Sequence, residues 1–243
     1  MNILQQMNEL RLQGMISQWE VFTTTKEHLN LSLTDGVSLL LHAEKENRSS
    51  RKTQRLIQQA KFRYTASIEQ IDFFTARSLD KALILSLADG SFITKGKSIL
   101  ITGPTGVGKS FIASAIGHQA CLLGYSTLYY NIQKLLTALG LAKVDGSIMK
   151  LQNKLYRKDL LILDDFGLQG LNDKQRIDYF ELLEERHGRK STIFISQLPA
   201  HEWFNIIGDN TIADAIIDRV IHQSIKIKLK GESMRKQKTT DGK

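Results

Sequence analysis

The chain has 243 residues, 42% of them hydrophobic and 24% charged, and its 33 lysines and arginines outnumber 25 acids for a formal net charge of +8. That length suits one large domain, or a core domain with a smaller appendage, and the composition is that of a soluble globular protein. No run of about 18 apolar residues is present and residues 1–12 lack an apolar signal core, so neither a membrane span nor secretion is expected. Cys121 is the sole cysteine, which excludes an internal disulfide and a multi-cysteine zinc site and fits a reducing, cytoplasmic setting.

In chain order, residues 1–80 read as helical and contain no proline. Met7–Phe22 and Ser38–Ala66 carry apolar residues at spacings of three and four. Thr34-Asp35-Gly36 reads as the break between helices, with Thr34 or Asp35 as its cap. Arg48, Arg51, Lys52, Arg55, Lys61 and Arg63 follow with no acid among them, and on a helix the first four form one stripe. Such a stripe is either a solvated face or a seat for a polyanion, whose counterions it would release. The boundary is soft near Asp72–Asp80, so a helical domain over 1–75 and a second domain over 76–243 are expected.

From Lys97 short apolar runs alternate with helical patterns. Ser98–Thr102, Thr127–Asn131, Leu160–Leu163, Thr192–Ser196 and Ile225–Leu229 are the predicted strands. Separated by helices, they predict βαβ units and a parallel five-stranded α/β sheet. The interior runs are apolar throughout, as strands covered on both faces should be, while Ile225-Lys226-Ile227-Lys228-Leu229 alternates like an edge strand. Two more basic groups lie here: Lys134, Lys143, Lys150, Lys154, Arg157 and Lys158, then Arg219, Lys226, Lys228, Lys230, Arg235, Lys236, Lys238 and Lys243.

Gly103, Pro104, Thr105, Gly106, Val107, Gly108, Lys109 and Ser110 meet the pattern G-x-x-x-x-G-K-[ST], between a predicted strand and a helix opening at Phe111. The glycines let successive N–H groups face phosphate oxygens, and the helix N-terminus adds partial positive charge. Lys109 would bridge the terminal phosphates of ATP, and the Ser110 hydroxyl would ligate Mg²⁺. Asp164 and Asp165 end the strand from Leu160. Alone, such a pair is as often a turn or cap. Downstream of a phosphate loop, it reads as a Mg²⁺-holding Asp164 and an Asp165 that orients or deprotonates the attacking water. Ser196 and Gln197 end the next strand and would reach the γ-phosphate if that strand neighbours the loop's own. Arg219, near a helix C-terminus, and Arg235, in the tail, have no assignable role from pattern alone.

The phosphate loop, Leu-Leu-Ile-Leu-Asp-Asp-Phe-Gly at 160–167, Ser-Gln-Leu-Pro at 196–199, Ile-Ala-Asp-Ala-Ile-Ile-Asp-Arg at 212–219 and Lys-Gly-Glu-Ser-Met-Arg-Lys at 230–236 together resemble the IstB transposition helper ATPases. These stand with the DnaC-type helicase loaders among AAA+ proteins. The resemblance spans nearly the whole chain, most strongly from Leu79 to Lys236. It implies an AAA+ sandwich with a small helical N-terminal domain, and an Mg²⁺-dependent ATPase that serves an insertion-sequence transposase. It also implies assembly with ATP into a homo-oligomer and binding of double-stranded DNA with little sequence preference. Under it Ser196 and Gln197 map to the sensor-1 region, Arg219 to an arginine finger acting on a neighbour's γ-phosphate, and Arg235 to sensor 2. Gln133–Lys158 maps to the helical insertion of initiator and loader ATPases. Lys134, Lys150 and Lys154 there, with Arg48, Arg51, Lys52, Arg55, Lys61 and Arg63, become the DNA-contact candidates.

The nearest alternative is a DnaC-like replicative helicase loader, which shares every ATP-site feature; the motif at 230–236 favours IstB. A small-molecule P-loop kinase would leave three basic groups without a task. A nucleotide-gated adaptor that scarcely turns over remains open because many related ATPases carry Glu where this chain has Asp165.

Overall fold

The computed structural model describes residues 2–26, 30–75, 77–222 and 224–234, so Arg235 and the lysines after it lie outside the described residues. The chain divides into two compact units, Met1–Arg55 and Leu56–Lys243.

The first unit holds α1 (Ile3–Glu9), α2 (Gln13–Thr25) and most of α3 (Leu33–Ala60). The helical stretch read over Met7–Phe22 is broken in two, because Arg11 takes a left-handed φ of 57° between α1 and α2. The break read at Thr34-Asp35-Gly36 falls earlier, and its cap is neither Thr34 nor Asp35. Ser32 serves instead: its hydroxyl accepts the Asp35 N–H at 3.1 Å and donates to the Asp35 carboxylate at 2.6 Å. Gly14 lets α2 approach α3 closely, since a Cβ there would sit 2.4 Å from the Ala43 carbonyl oxygen.

In the second unit α3 ends at Ala60, short of the predicted Ala66, and Lys61 turns the chain with φ at 55°. Residues 56–75 group with this unit rather than with the helices before them. Ala66, Ile68 and Ile71 are buried in its core, and Phe62 packs where a Cβ on Gly117 would lie only 2.6 Å from its ring.

A short 3-10 turn at Ile68–Gln70, then α4 (Lys81–Leu87) and α5 (Ser91–Thr94), lead to β1 (Ser98–Thr102). After β1 come α6 (Lys109–Leu122), β2 (Thr127–Asn131), α7 (Ile132–Val144), α8 (Ile148–Tyr156), β3 (Leu160–Phe166), α9 (Asp173–Arg186) and β4 (Ser191–Ser196). The chain closes with α10 (Trp203–Ile207), α11 (Asn210–Ile217) and β5 (Ser224–Lys228). α11 ends at Ile217 and gives way to a wider π turn over Asp218–His222, which carries Arg219.

All strand pairs are parallel, in the order β2-β3-β4-β1-β5, so the alternating strand is indeed an edge. Alternate side chains feed two cores. Ile99, Ile101, Ile162, Ile193 and Ile195 meet α6 and the 66–93 segment. Leu100, Leu161, Leu163 and Phe194 meet α7, α9, α10 and α11 around the buried Trp203. Each fully buried side chain of this size stabilises the fold by roughly 1.5–3 kcal/mol. This double cover explains why the interior strands are apolar throughout. The crossover order puts the carboxyl ends of β1, β3 and β4 side by side, where open parallel sheets bind ligands.

Candidate functional site

β1 delivers the chain to the loop at 103–108, which takes glycine at each of its three positive-φ positions. Gly103, Gly106 and Gly108 have φ of 147°, 87° and 94°. A Cβ on Gly103 would come 2.4 Å from the Leu229 carbonyl oxygen, and one on Gly108 2.6 Å from the Arg77 guanidinium. Lys109 opens α6 and is 7% exposed. Its ammonium donates to the carbonyls of Gly103 and Pro104, both at 2.7 Å, so the lysine curls back over its own loop. Burial pushes this ammonium below the ordinary lysine value, against the opposing pull of Asp164 and Asp165.

β3 runs through both aspartates to Phe166 instead of stopping at Leu163. Its pairing with β4 shifts register between Leu163 and Phe166, and Asp165 within that bulge has φ at 63°. A bulge adds a residue to one strand and re-aims side chains. Here it brings two successive carboxylates to one guanidinium, that of Arg63, where simple alternation would send them to opposite faces. Asp164 is fully buried and accepts the hydroxyl proton of Tyr129, and its Oδ1 accepts the Asp165 N–H at 2.8 Å. The Ser110 side chain also approaches the Tyr129 hydroxyl, so α6, β2 and β3 converge on one polar point. Burial and the Asp164 charge push the Tyr129 phenol well above its ordinary value, keeping it a neutral donor. Asp165 accepts the Asn131 amide at 2.9 Å.

Arg63 stands in the same site. Its Nη1 lies 3.3 Å from Asp164 Oδ2 and 3.1 Å from Asp165 Oδ2, and its guanidinium covers the Tyr64 ring at 5.7 Å. Burial lowers the affinity of this guanidinium for its proton, but the surrounding groups, both carboxylates among them, outweigh that and hold it above the ordinary arginine value. The sequence pattern placed Arg63 with the DNA-contact candidates; the fold places it against the two aspartates.

Arg63, Lys109, Ser110 and Asp165 border a cavity of about 640 Å³ that also meets Gln70, Phe111, Gln197 and Met234, while Asp164 is buried beside them. Because β4 lies beside β1, Thr102 is level with Ser196. Gln197 accepts the Thr105 hydroxyl at 2.6 Å. Ser196 is buried and engaged within the chain, donating to the Phe166 carbonyl at 3.0 Å and accepting the Leu198 N–H at 3.1 Å. Of the two, Gln197 is the one that faces the cavity. The segment after β5 lies on the loop, with the Met234 N–H bonded to the Gly106 carbonyl at 3.0 Å. The buried Arg77 ties these parts together. Its guanidinium donates to the Val107 carbonyl at 3.1 Å and reaches the Asp72 carbonyl and Met234 Sδ. Nothing local in the sequence marked Arg77, whereas Asn131 and Tyr129 could have been found from their places at the end of a predicted strand.

The residues suit ATP with Mg²⁺. At Gly103, Gly106 and Gly108 the loop has no room for a side chain, a buried ammonium points into it, and the Ser110 and Asp164 side chains both meet the Tyr129 hydroxyl. Mg²⁺ takes one or two such protein oxygens and completes its shell with phosphate and water.

Arg219 lies elsewhere. It borders a small cavity with Ser98 and Thr192, at the opposite, amino end of β1 and β4. There it pairs with Glu184 at 2.5 Å, donates to the Ala215 carbonyl at 2.9 Å and covers the Phe180 ring at 5.1 Å. The basic groups are also re-sorted. Lys134, exposed in the first turn of α7, is apart from Lys150 and Lys154, which share an open cleft with Ser126, Arg157 and Lys158. Burial, Lys61 and Lys158 together lower the Lys154 ammonium below its ordinary value, a sign of concentrated positive charge. Arg51, Lys52 and Arg55 are exposed along α3, and Arg48 beside them pairs with Glu44 at 2.6 Å.

A phosphate loop, paired carboxylates and a β2-β3-β4-β1-β5 sheet narrow the comparison to one branch of P-loop proteins. The sequence profile of IstB-like ATP binding proteins matches residues 5–242. The chain belongs to the IstB-like ATP-binding family. It is 42% identical over 233 residues to the insertion sequence ATP-binding protein y4pL of Sinorhizobium fredii, covering 96% of this chain and 95% of that one. It is also 42% identical over 198 residues to the ATP-binding protein of insertion sequence IS1162 of Pseudomonas fluorescens, covering 81% and 86%. Among solved structures, the DnaC helicase loader aligns with a TM-score of 0.57 at 20% identity, covering 68% of this chain and 97% of that one. DnaI aligns at 0.59 and 18%, covering 72% and 93%. These likenesses establish the shared fold. The resemblance read from the motifs and the AAA+ ATPase class are borne out for this IstB-like chain. No helix among the described residues is long and apolar enough to cross a membrane.

Proposed function

We propose that this IstB-like protein is a cytoplasmic, Mg²⁺-dependent AAA+ ATPase that assembles on double-stranded DNA and assists an insertion-sequence transposase. The observation that carries the reading is the convergence of a loop with glycine at its three positive-φ positions, a buried Lys109 and two bulge-aimed aspartates in a member of a family whose relatives are named for insertion sequences. Those names favour a transposase over a replicative helicase as the partner.

In this mechanism the loop N–H groups and Lys109 bind the phosphates, while Ser110 and Asp164 hold Mg²⁺, which neutralises charge on the terminal phosphates when bound. Asp165 accepts the proton of the attacking water, and Gln197 orients that water or the γ-phosphate from the neighbouring strand. Arg219, at the far end of the sheet, serves the site of the next subunit in an ATP-dependent homo-oligomer. Arg235, outside the described residues, is proposed by the resemblance to serve as sensor 2.

DNA contact falls to exposed cations on the α3 stripe and the cleft with Lys150 and Lys154. Lysine and arginine without positioned amides grip phosphate and carry no base code. Arg51→Ala with Arg55→Ala is expected to weaken binding to all duplex sequences about equally. It should also make the log–log salt slope shallower by roughly one to two units, about 0.9 per phosphate contact. Nucleotide affinity should be retained. A double variant with the parent's affinity and slope would mean that the stripe is a solvated face and that the Lys150 and Lys154 cleft carries the contact.

A further inference from the structure

We infer that Arg63 is a built-in counter-cation for the two site carboxylates, a latch that competes with Mg²⁺–nucleotide for Asp164 and Asp165. The inference rests on the reading of this cavity as the nucleotide site and adds a control to it.

The geometry is specific. One guanidinium nitrogen lies within 3.3 Å of an Oδ2 on each aspartate, so a single positive charge bridges both carboxylates much as a metal ion would. Asp164 is fully buried, and a buried carboxylate is costly without compensation. Tyr129 and the Asp165 N–H supply hydrogen bonds to it, but among the described residues Arg63 alone brings full charge into contact. Lys109 is directed onto the loop carbonyls instead. A carboxylate held by a guanidinium is also a poor proton acceptor, so the pairing restrains Asp165 as a base. Arg63 itself can leave. Its side chain is 42% exposed, and it sits just beyond the end of α3, after the left-handed turn at Lys61. When the charge of a divalent ion arrives beside Asp164, the guanidinium is repelled and swings toward solvent over Tyr64. The site thus keeps its aspartates compensated in either state, and activation takes the form of exchanging one cation for another.

Competition of this kind is a linkage, so removing one competitor strengthens the other by the same coupling. Arg63→Gln is expected to lower the Mg²⁺ concentration that half-saturates binding of a fluorescent, non-hydrolysable ATP analogue by roughly tenfold, within the usual range of coupled sites. Arg63→Lys, which keeps a charge, should stay near the parent. Without Mg²⁺ and nucleotide the Gln variant should unfold at a lower temperature than the parent, and saturating Mg²⁺ with the analogue should close that gap. A Gln variant with an unchanged or raised Mg²⁺ midpoint overturns the latch, as does a temperature gap that persists unchanged under saturation. If the parent shows no Mg²⁺-dependent binding of the analogue at all, the nucleotide-site reading fails first and the latch with it.

Discussion

Asp165 combines a left-handed backbone, at φ 63°, with a carboxylate shared by Asn131 and Arg63. Asp and Asn enter that region more readily than other side chains, because their short polar groups bond locally. Asp165→Asn therefore keeps the backbone and an acceptor oxygen while removing the proposed base. Nucleotide affinity should stay within about twofold, and turnover should fall by roughly 10²-fold or more, the usual span for a lost general base. Turnover at the parent's rate would move the base elsewhere. Asp165→Ala should in addition cost roughly 1 kcal/mol of stability through backbone strain. Unfolding of the two variants side by side separates strain from chemistry. The pair of aspartates was legible because two carboxylates at a strand end downstream of a phosphate loop form a chemical pattern. Their bulge was not, because a register shift belongs to the pairing of two distant segments.

At the scale of elements, α2 begins without a side-chain cap of its own, since Leu12 has none to offer. Glu44 supplies it from α3, accepting the Gly14 N–H at 2.7 Å and the Met15 N–H at 3.3 Å. A carboxylate at a helix N-terminus also meets the favourable end of the dipole. Burial pushes the Glu44 carboxyl up, but the bonds from Arg48, Gly14 and Met15 outweigh it and hold it below the ordinary 4.5. Because the folded value is depressed, the stabilisation is complete above pH 4.5 and fades as pH falls through that lower value. Glu44→Gln is expected to cost about 1 kcal/mol near neutrality. The difference from the parent should shrink toward zero as the pH drops below 4.5, read by exchange protection of the α2 amides. An equal deficit at both ends of the range would assign the effect to packing around Gly14. The strands were legible as elements because two-sided burial demands unbroken apolar runs. The helix break at Arg11 was not, since spacing of three and four continues across it, while the break read at Thr34-Asp35-Gly36 falls a few residues earlier, with Ser32 as its cap.

For the whole molecule, the decisive fact is that Arg219 and the phosphate loop stand at opposite ends of β1. Within one chain Arg219 stays paired to Glu184 and stacked on Phe180. A role at a γ-phosphate requires a second copy in a head-to-tail contact, which builds rings or open helices. Mixing Arg219→Ala with Lys109→Ala subunits should restore part of the hydrolysis that each lacks, because one kind of interface then has both parts intact. The finger's contribution is expected to be roughly 10³-fold. Mixtures that only sum two inactive proteins would rule out action between subunits.

By itself the sequence determined the family, the parallel α/β class, the edge strand and the chemical types at the phosphate loop. Each of those is written in local order: glycines where φ is positive, a Lys-Ser pair opening a helix, apolar runs of strand length. Tertiary structure alone decided which charges share a site. Arg63 reads as one more cation in a basic run, yet the turn at Lys61 and the burial of Ala66, Ile68 and Ile71 carry it to the aspartates. The crossover of β4 next to β1 likewise chose Gln197 for the cavity and left Ser196 to the core. Local pattern specifies backbone and burial, but a charge acquires its partner from through-space distance, and that is set only when the sheet has closed.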